Sequence, residues 1–180
     1  EEAFQHDGKI TKREVRAATI ARLAPMPGQM LWDIGAGSGA VAIEWLRAAA
    51  GSQAIAMERD PARWPDIEAN AANLGVPHLK LLKGEAPACL GDADGPPDAV
   101  FVGGGLSQPD VIDAALAALK PGGRLVANAV TLEAQEILIA QHRQRGGELA
   151  RISVARDSAV GGLTAMRPLM DVLQWAVVKS

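Results

Sequence analysis

The sequence predicts an α/β fold of the doubly wound class: a seven-stranded, mostly parallel sheet that closes with an antiparallel pair. Three observations predict it. Short apolar runs alternate with helical patterns over most of the chain, the signature of βαβ units. The first apolar run leads into a glycine-rich turn, Gly35-Ala36-Gly37-Ser38-Gly39, which opens a helical pattern. In the last third, two strand-like runs stand without a long helix between them, which excludes a parallel crossover there.

Each element has a local reason. Thr11-Lys12-Arg13-Glu14 reads as a capping box, with the threonine oxygen accepting from the helix and Glu14 reaching back. It predicts a helix to about Ala24, stopped by Pro25 and Pro27. Strands are expected at Met30–Ile34, Ala54–Met57, Leu79–Leu82, Ala99–Val102 and Arg124–Ala127, with helices at Ala40–Ala49, Pro61–Leu74, Pro109–Leu119 and Leu132–Arg145. Glycines 28, 51 and 75 and the Pro121-Gly122-Gly123 turn mark the boundaries. Glu148–Ala155 and Leu169–Val178 read as the antiparallel pair, and Arg156–Pro168 as the loop that joins them.

At 180 residues, 48% apolar and 22% charged, the chain has the size and composition of one folded domain. Its net charge of −3 argues against nucleic acid or a membrane surface as partner, since both are polyanions. The single cysteine, Cys89, leaves no internal disulfide and no cysteine metal site, and suits the cytoplasm; it reads as a small apolar residue. No apolar run approaches the ~18 residues of a membrane span, and no signal peptide is legible. Glu1 in place of a methionine suits a piece of a longer polypeptide.

The glycine turn fits two cofactors on its own, because Gly35-x-Gly37-x-x-Ala40 also satisfies the dinucleotide fingerprint. The neighbours favour S-adenosylmethionine. Asp33 stands where a carboxylate accepts from a cationic ammonium group and repels a pyrophosphate; its bland reading is a cap on the loop. Glu58 ends the second strand, where it can take both ribose hydroxyls of either cofactor or remain a solvated charge. Glu85, after the third strand, stands where it can accept from an adenine amino group, or simply favour a helix start. With the terminal antiparallel pair, these make a methyltransferase the reading and a nicotinamide-dependent oxidoreductase the rival.

Acceptor signals are mostly negative. After Asp98–Val102 the chain runs into Gly103-Gly104-Gly105, with neither the Asn/Asp-Pro-Pro-aromatic motif of nucleobase amino-methylating enzymes nor a cysteine to attack a pyrimidine. The three glycines suit a flat, bulky acceptor brought close to the backbone, or else a flexible turn.

Several segments resemble the decarboxylating precorrin C15-methyltransferases of the cobalamin pathway. They are His6 to Arg16 (HDGKITKREVR), Asp33–Gly39, Gly84-Glu85-Ala86-Pro87, Val102-Gly103-Gly104, Leu119–Leu125 and Ala129-Val130-Thr131-Leu132-Glu133. The resemblance spans almost the whole chain. It implies the class I S-adenosylmethionine methyltransferase fold in one domain, with residues 1–27 a covering segment and helix and 28–180 a Rossmann-like core. It also implies methylation of carbon 15 of a late precorrin, with loss of carbon dioxide from the acetate at carbon 12. Thr11, Gly35–Gly39, Glu58 and Ala86 then map onto cofactor contacts, joined by Asp33, Glu85 and Gly103. The aspartate common in the family at two of these positions is replaced by Glu58 and Glu85, which keep the carboxylate.

A tetrapyrrole acceptor carries many carboxylates, so cations are expected beside it. Lys9, Lys12, Arg13 and Arg16 lie in the N-terminal segment, and Arg156 and Arg167 flank the 156–168 stretch; the bland reading is a solvated basic face. Arg16, Gly104, Gly105, Arg156 and Arg167 are the expected acceptor contacts. A sulfonium methyl needs no metal and no nucleophilic side chain, so neither is expected. A proton donor or base is useful, and His6, Glu133 and Asn128 are the candidates, the last as a hydrogen-bond partner. The resemblance also implies a homo-oligomer, a tetramer, either fused to a second precorrin methyltransferase domain or acting alongside one. The apolar Val160–Met166 stretch suits such an interface. A small-molecule or RNA methyltransferase of the same fold is the remaining alternative.

Overall fold

The computed structural model describes residues 1–180. Helix α1 (Arg13–Leu23) precedes strand β1 (Met30–Ile34), helix α2 (Ala40–Ala48), β2 (Gln53–Glu58), α3 (Trp64–Asn73), β3 (Lys80–Lys83), β4 (Ala99–Val102), α4 (Val111–Ala118), β5 (Arg124–Ala129) and α5 (Leu132–Arg145). The chain closes with β6 (Glu148–Ile152), β7 (Ala155–Val160), β8 (Leu163–Pro168) and β9 (Val172–Val178). Seven strands form one sheet in the order β3-β2-β1-β4-β5-β9-β6, in which β9 runs antiparallel to both neighbours. This is the class I S-adenosylmethionine methyltransferase fold.

Helices cover both faces of the sheet, so its central strands are apolar throughout rather than alternating. In β4, Val100 and Val102 join one core while Ala99 and Phe101 join the other. In β1, Trp32 and Ile34 face the first core and Leu31 the second. The strand order turns at β1 and β4: β2 and β3 follow on one side, β5 and beyond on the other. Beyond such a reversal the two loops diverge and leave a crevice at the carboxyl ends of the strands. Residues 35–39 leave β1 and residues 103–105 leave β4 at that crevice.

Four expectations are corrected. Residues 156–168 form the hairpin β7–β8, a separate two-stranded sheet in register Arg156↔Arg167, rather than a loop. Its strands are mostly exposed, so the chain has no buried face there to print an alternating pattern. The capping box at Thr11 does not form. The helix begins at Arg13 with Lys12 as an uncapped N-cap, because Glu14 reaches out to Arg156 instead of back. The helix expected from Pro61 divides into one 3₁₀ turn, Pro61–Arg63, and α3, which carries a second proline in its first turn. The helix expected from Pro109 starts at Val111, since Asp110 adopts φ +63°.

Candidate cofactor and acceptor site

The loop after β1 is shaped by backbone proximity. Gly35, Gly37 and Gly39 have φ of +70°, +61° and +76°, a region L side chains rarely adopt. A Cβ on Gly35 would lie 2.6 Å from the Gly104 Cα, so the two loops touch backbone to backbone. Gly35 and Ala36 donate to the Met57 carbonyl, and Gly103 and Gly104 to that of Ile34. Gly104 is therefore a packing partner of the first loop. Gly37 differs: its Cβ would meet nothing within 4 Å.

These loops enclose a cavity of about 290 Å³. Thr11, Gly35, Ala36, Gly37, Ser38, Glu58, Glu85, Ala86 and Gly103 line it, together with Gly104, Gly105 and Arg63. Glu58 is only 3% exposed. Its carboxylate accepts from Gly37 N at 2.8 Å and Asp60 N at 2.9 Å, so it braces the loop it faces. Glu85 at the rim accepts from Arg59 and from Gln108. Two residues expected here do not reach the wall. Gly39 instead backs onto Ile67 of α3. Asp33 lies beneath the loop, where Oδ2 accepts from Ala42 N of α2 and Oδ1 has no partner.

Burial, then the nearby Glu58 charge, pushes the Asp33 carboxyl up to about 7 against the downward pull of the Ala42 hydrogen bond. Between the ordinary carboxylate value and about pH 7, the folded chain keeps a proton that the unfolded chain has released. The Asp33 contribution to stability therefore falls as pH rises across that window and levels off above it. Asp33→Asn is expected to flatten this slope, as read by melting temperature from pH 4 to 8. An unchanged slope would show that Asp33 is ionised throughout.

A second cavity of about 610 Å³ adjoins the first, with Lys9, Ile10, Thr11, Phe101 and Gly103 common to both walls. Val15, Val130, Val154, Leu169, Met170 and Val172 make it largely apolar. Its charged lining residues are Lys9 and Lys12, with no carboxylate among them. Residues 9–11 thus separate the two spaces. The segment is held from several sides: Asp7 pairs with Arg63 at 2.9 Å, and Gln5 exchanges two hydrogen bonds with Asn70. Asn70 is fully buried and also donates to Ser38 O at 3.0 Å, so one side chain grips both the segment and the glycine loop.

Several expected acceptor contacts are corrected. Arg16 is 3% exposed, bound to Glu44 and the Thr11 carbonyl and stacked over Phe4; it anchors the segment from beneath. Arg156 is taken up by Glu1 at 2.8 Å and Glu14 at 2.6 Å, and it holds both carboxyls below their usual range. Arg167, Gly104 and Gly105 are absent from the second cavity's wall, although the two glycines line the first. His6 is exposed and accepts from Gly8 N, and Glu133 is exposed on α5; neither lines either of the two cavities. Of the three acid–base candidates, only Asn128 lines the second cavity. Asn70 was the residue missed, and its signal was present: a polar side chain at helical spacing with Ile67 and Ala71 on a buried face.

Residues 2–179 match the family described as Precorrin methyltransferase domain. The chain is 51% identical over 176 residues to a Sinorhizobium protein named precorrin-6Y C(5,15)-methyltransferase [decarboxylating], covering 98% of this chain but 42% of that protein. It spans less than half the length of that relative. It is 37% identical over 125 residues to the Salmonella typhimurium cobalt-precorrin-6B C(15)-methyltransferase (decarboxylating), covering 69% of this chain and 64% of that one. Among solved structures, it superposes on the C-terminal domain of precorrin-6Y C5,15-methyltransferase from Rhodobacter capsulatus. The TM-score is 0.91 and the identity 42%, over 99% of this chain and 96% of that one. These matches remove the nicotinamide-dependent reading, and the chain belongs to the precorrin methyltransferase domain family.

Proposed function

We propose that this domain transfers a methyl group from S-adenosylmethionine to carbon 15 of a late precorrin, with loss of carbon dioxide from the acetate at carbon 12. The observation that carries this reading is the pair of adjoining cavities divided by residues 9–11: one glycine-walled, the other apolar with cations and no acid at its wall. The C(15) assignment draws on the single-activity Salmonella relative, whose name carries that reaction alone.

The residues around the first cavity fit the cofactor. The open space beside Gly37 admits a ligand, and the Glu58 carboxylate is placed at the loop to accept from ribose hydroxyls. Glu85 and Ala86 would meet the adenine, and the backbone of residues 35–38 the remaining polar edge. When bound, the cofactor supplies a methyl group already activated on a sulfonium. The chain's own task is placement and exclusion of water, which for an in-line transfer supplies most of the acceleration. Thr11, Phe101 and Gly103 stand where the two cavities meet and would hold the reacting atoms in line. Of the cations expected beside the acceptor, Lys9 and Lys12 take its carboxylates, Lys12 leaving only a long 3.9 Å contact to Glu1. The apolar wall receives the macrocycle.

The test is turnover of precorrin with S-adenosylmethionine, read by mass spectrometry as one methyl gained and one carbon dioxide lost. A chain that binds S-adenosylhomocysteine but leaves precorrin unchanged would refute the acceptor. Glu58→Ala is expected to weaken S-adenosylhomocysteine by about 1–3 kcal/mol in calorimetry, the loss of charge-assisted hydrogen bonds. Equal affinity in a folded variant would remove Glu58 from the site.

The domain is further proposed to work in the cytoplasm as a homotetramer, together with a second precorrin methyltransferase domain and without nucleic acid or membrane. No helix is long and apolar enough to cross a membrane. Val160, Leu163 and Met166 stand 56%, 80% and 65% exposed on the β7–β8 hairpin, and their burial between copies would account for them.

A further inference from the structure

Asn128 sits near the end of β5 on the wall of the second cavity, and its amide is held in one sense. The Thr19 hydroxyl donates its single proton to the Val15 carbonyl at 2.8 Å, so toward its other neighbours it can only accept. Asn128 Nδ2 donates to Thr19 Oγ1 at 3.0 Å, and Asn128 Oδ1 accepts from Gln174 Nε2 at 2.9 Å. Gln174 Nε2 also donates to Thr19 Oγ1 at 3.1 Å. Thr19 is fully buried and Gln174 is 1% exposed, so this clamp is shielded from water. One N–H of the Asn128 amide remains unspent on a wall whose other donors are the charged Lys9 and Lys12 and the Thr11 hydroxyl.

Resting on the function proposed above, we propose that Asn128 donates its free N–H to the acceptor carboxylate that leaves as carbon dioxide, with Thr19 and Gln174 as its positioning residues. A neutral donor suits that carboxylate better than an ammonium group. In the step, the bond between the acetate methylene and the carboxyl carbon breaks. Its electron pair flows into the methylated, cationic macrocycle, and carbon dioxide departs. The methylene carbon then takes one proton from solvent to become a methyl group. A full positive charge at the carboxylate would hold those electrons back, while an amide orients the group at small electrostatic cost. The other carboxylates, which stay on the product, go to the two lysines.

The experiment counts carbon dioxide released per methyl group transferred, in wild-type chain and in Asn128→Asp and Asn128→Ser. Thr19 and Gln174 still bond each other when the amide is lost, and the aspartate is isosteric, so at least one variant should fold. Unchanged S-adenosylhomocysteine affinity verifies that it has. The proposal expects the ratio to fall about tenfold or more, with methylated but carboxylated product accumulating. Thr19→Val should give a smaller fall of the same kind. A ratio equal to that of wild type in a folded variant, whether both rates are preserved or both drop together, overturns the assignment. A wild-type chain that does not methylate precorrin refutes the underlying function instead.

Discussion

Gly35→Ala is expected to lower stability by about 2–6 kcal/mol, read as a large fall in melting temperature and a leftward shift of the urea midpoint. Two penalties act on one methyl group. The backbone at φ +70° disfavours any side chain, which costs about 1–3 kcal/mol. The new Cβ also falls 2.6–2.8 Å from the Cα, N and C atoms of Gly104, and a backbone cannot turn aside as a side chain can. Overpacking of this kind adds about 1–3 kcal/mol. Relief requires the ends of β1 and β4 to part, at the loops held by the Gly103 and Gly104 hydrogen bonds to Ile34. A melting temperature unchanged by the substitution would show that the two loops are not in contact.

Gly37→Val should have the opposite profile. It is expected to reduce S-adenosylhomocysteine affinity on the order of 100-fold or more while circular dichroism stays near that of wild type. At φ +61° the substitution carries backbone strain, but its Cβ meets no protein atom within 4 Å and projects where the glycine loop walls the first cavity. That open space, on the wall of the first cavity, is where the proposed cofactor would lie. Calorimetry on the folded variant decides the matter, and normal affinity would reduce the loop to a turn. The contrast between two glycines, one closed by protein and one open, separates the structural from the ligand-binding use of the motif.

Most of the sheet was legible because its strands are buried on both faces and separated by glycine and proline. The β7–β8 hairpin was not, since exposed strands carry no core-facing alternation and Arg156–Pro168 reads as an ordinary loop. The glycine loop could be placed from sequence because glycine reports backbone conformation directly. The fate of charges could not. Arg156 and Arg16 are cations by composition, but partners distant in sequence decide their work: Glu1 lies 155 residues from Arg156, and Glu44 lies 28 from Arg16. Asp33 shows the same limit. A carboxylate at that position suggests a ligand contact, and only its depth beneath the loop reveals that it caps α2.

The strip from Lys9 to Thr11 is wall to both cavities, and Asn70 ties the chain just before it to the glycine loop. A ligand in one space that shifts or orders this strip would therefore act on the other space as well. Any free energy that one ligand spends in ordering this shared partition is free energy the second ligand no longer has to supply. Linkage makes that saving symmetric: whatever factor the first confers on the second's dissociation constant, the second returns to the first.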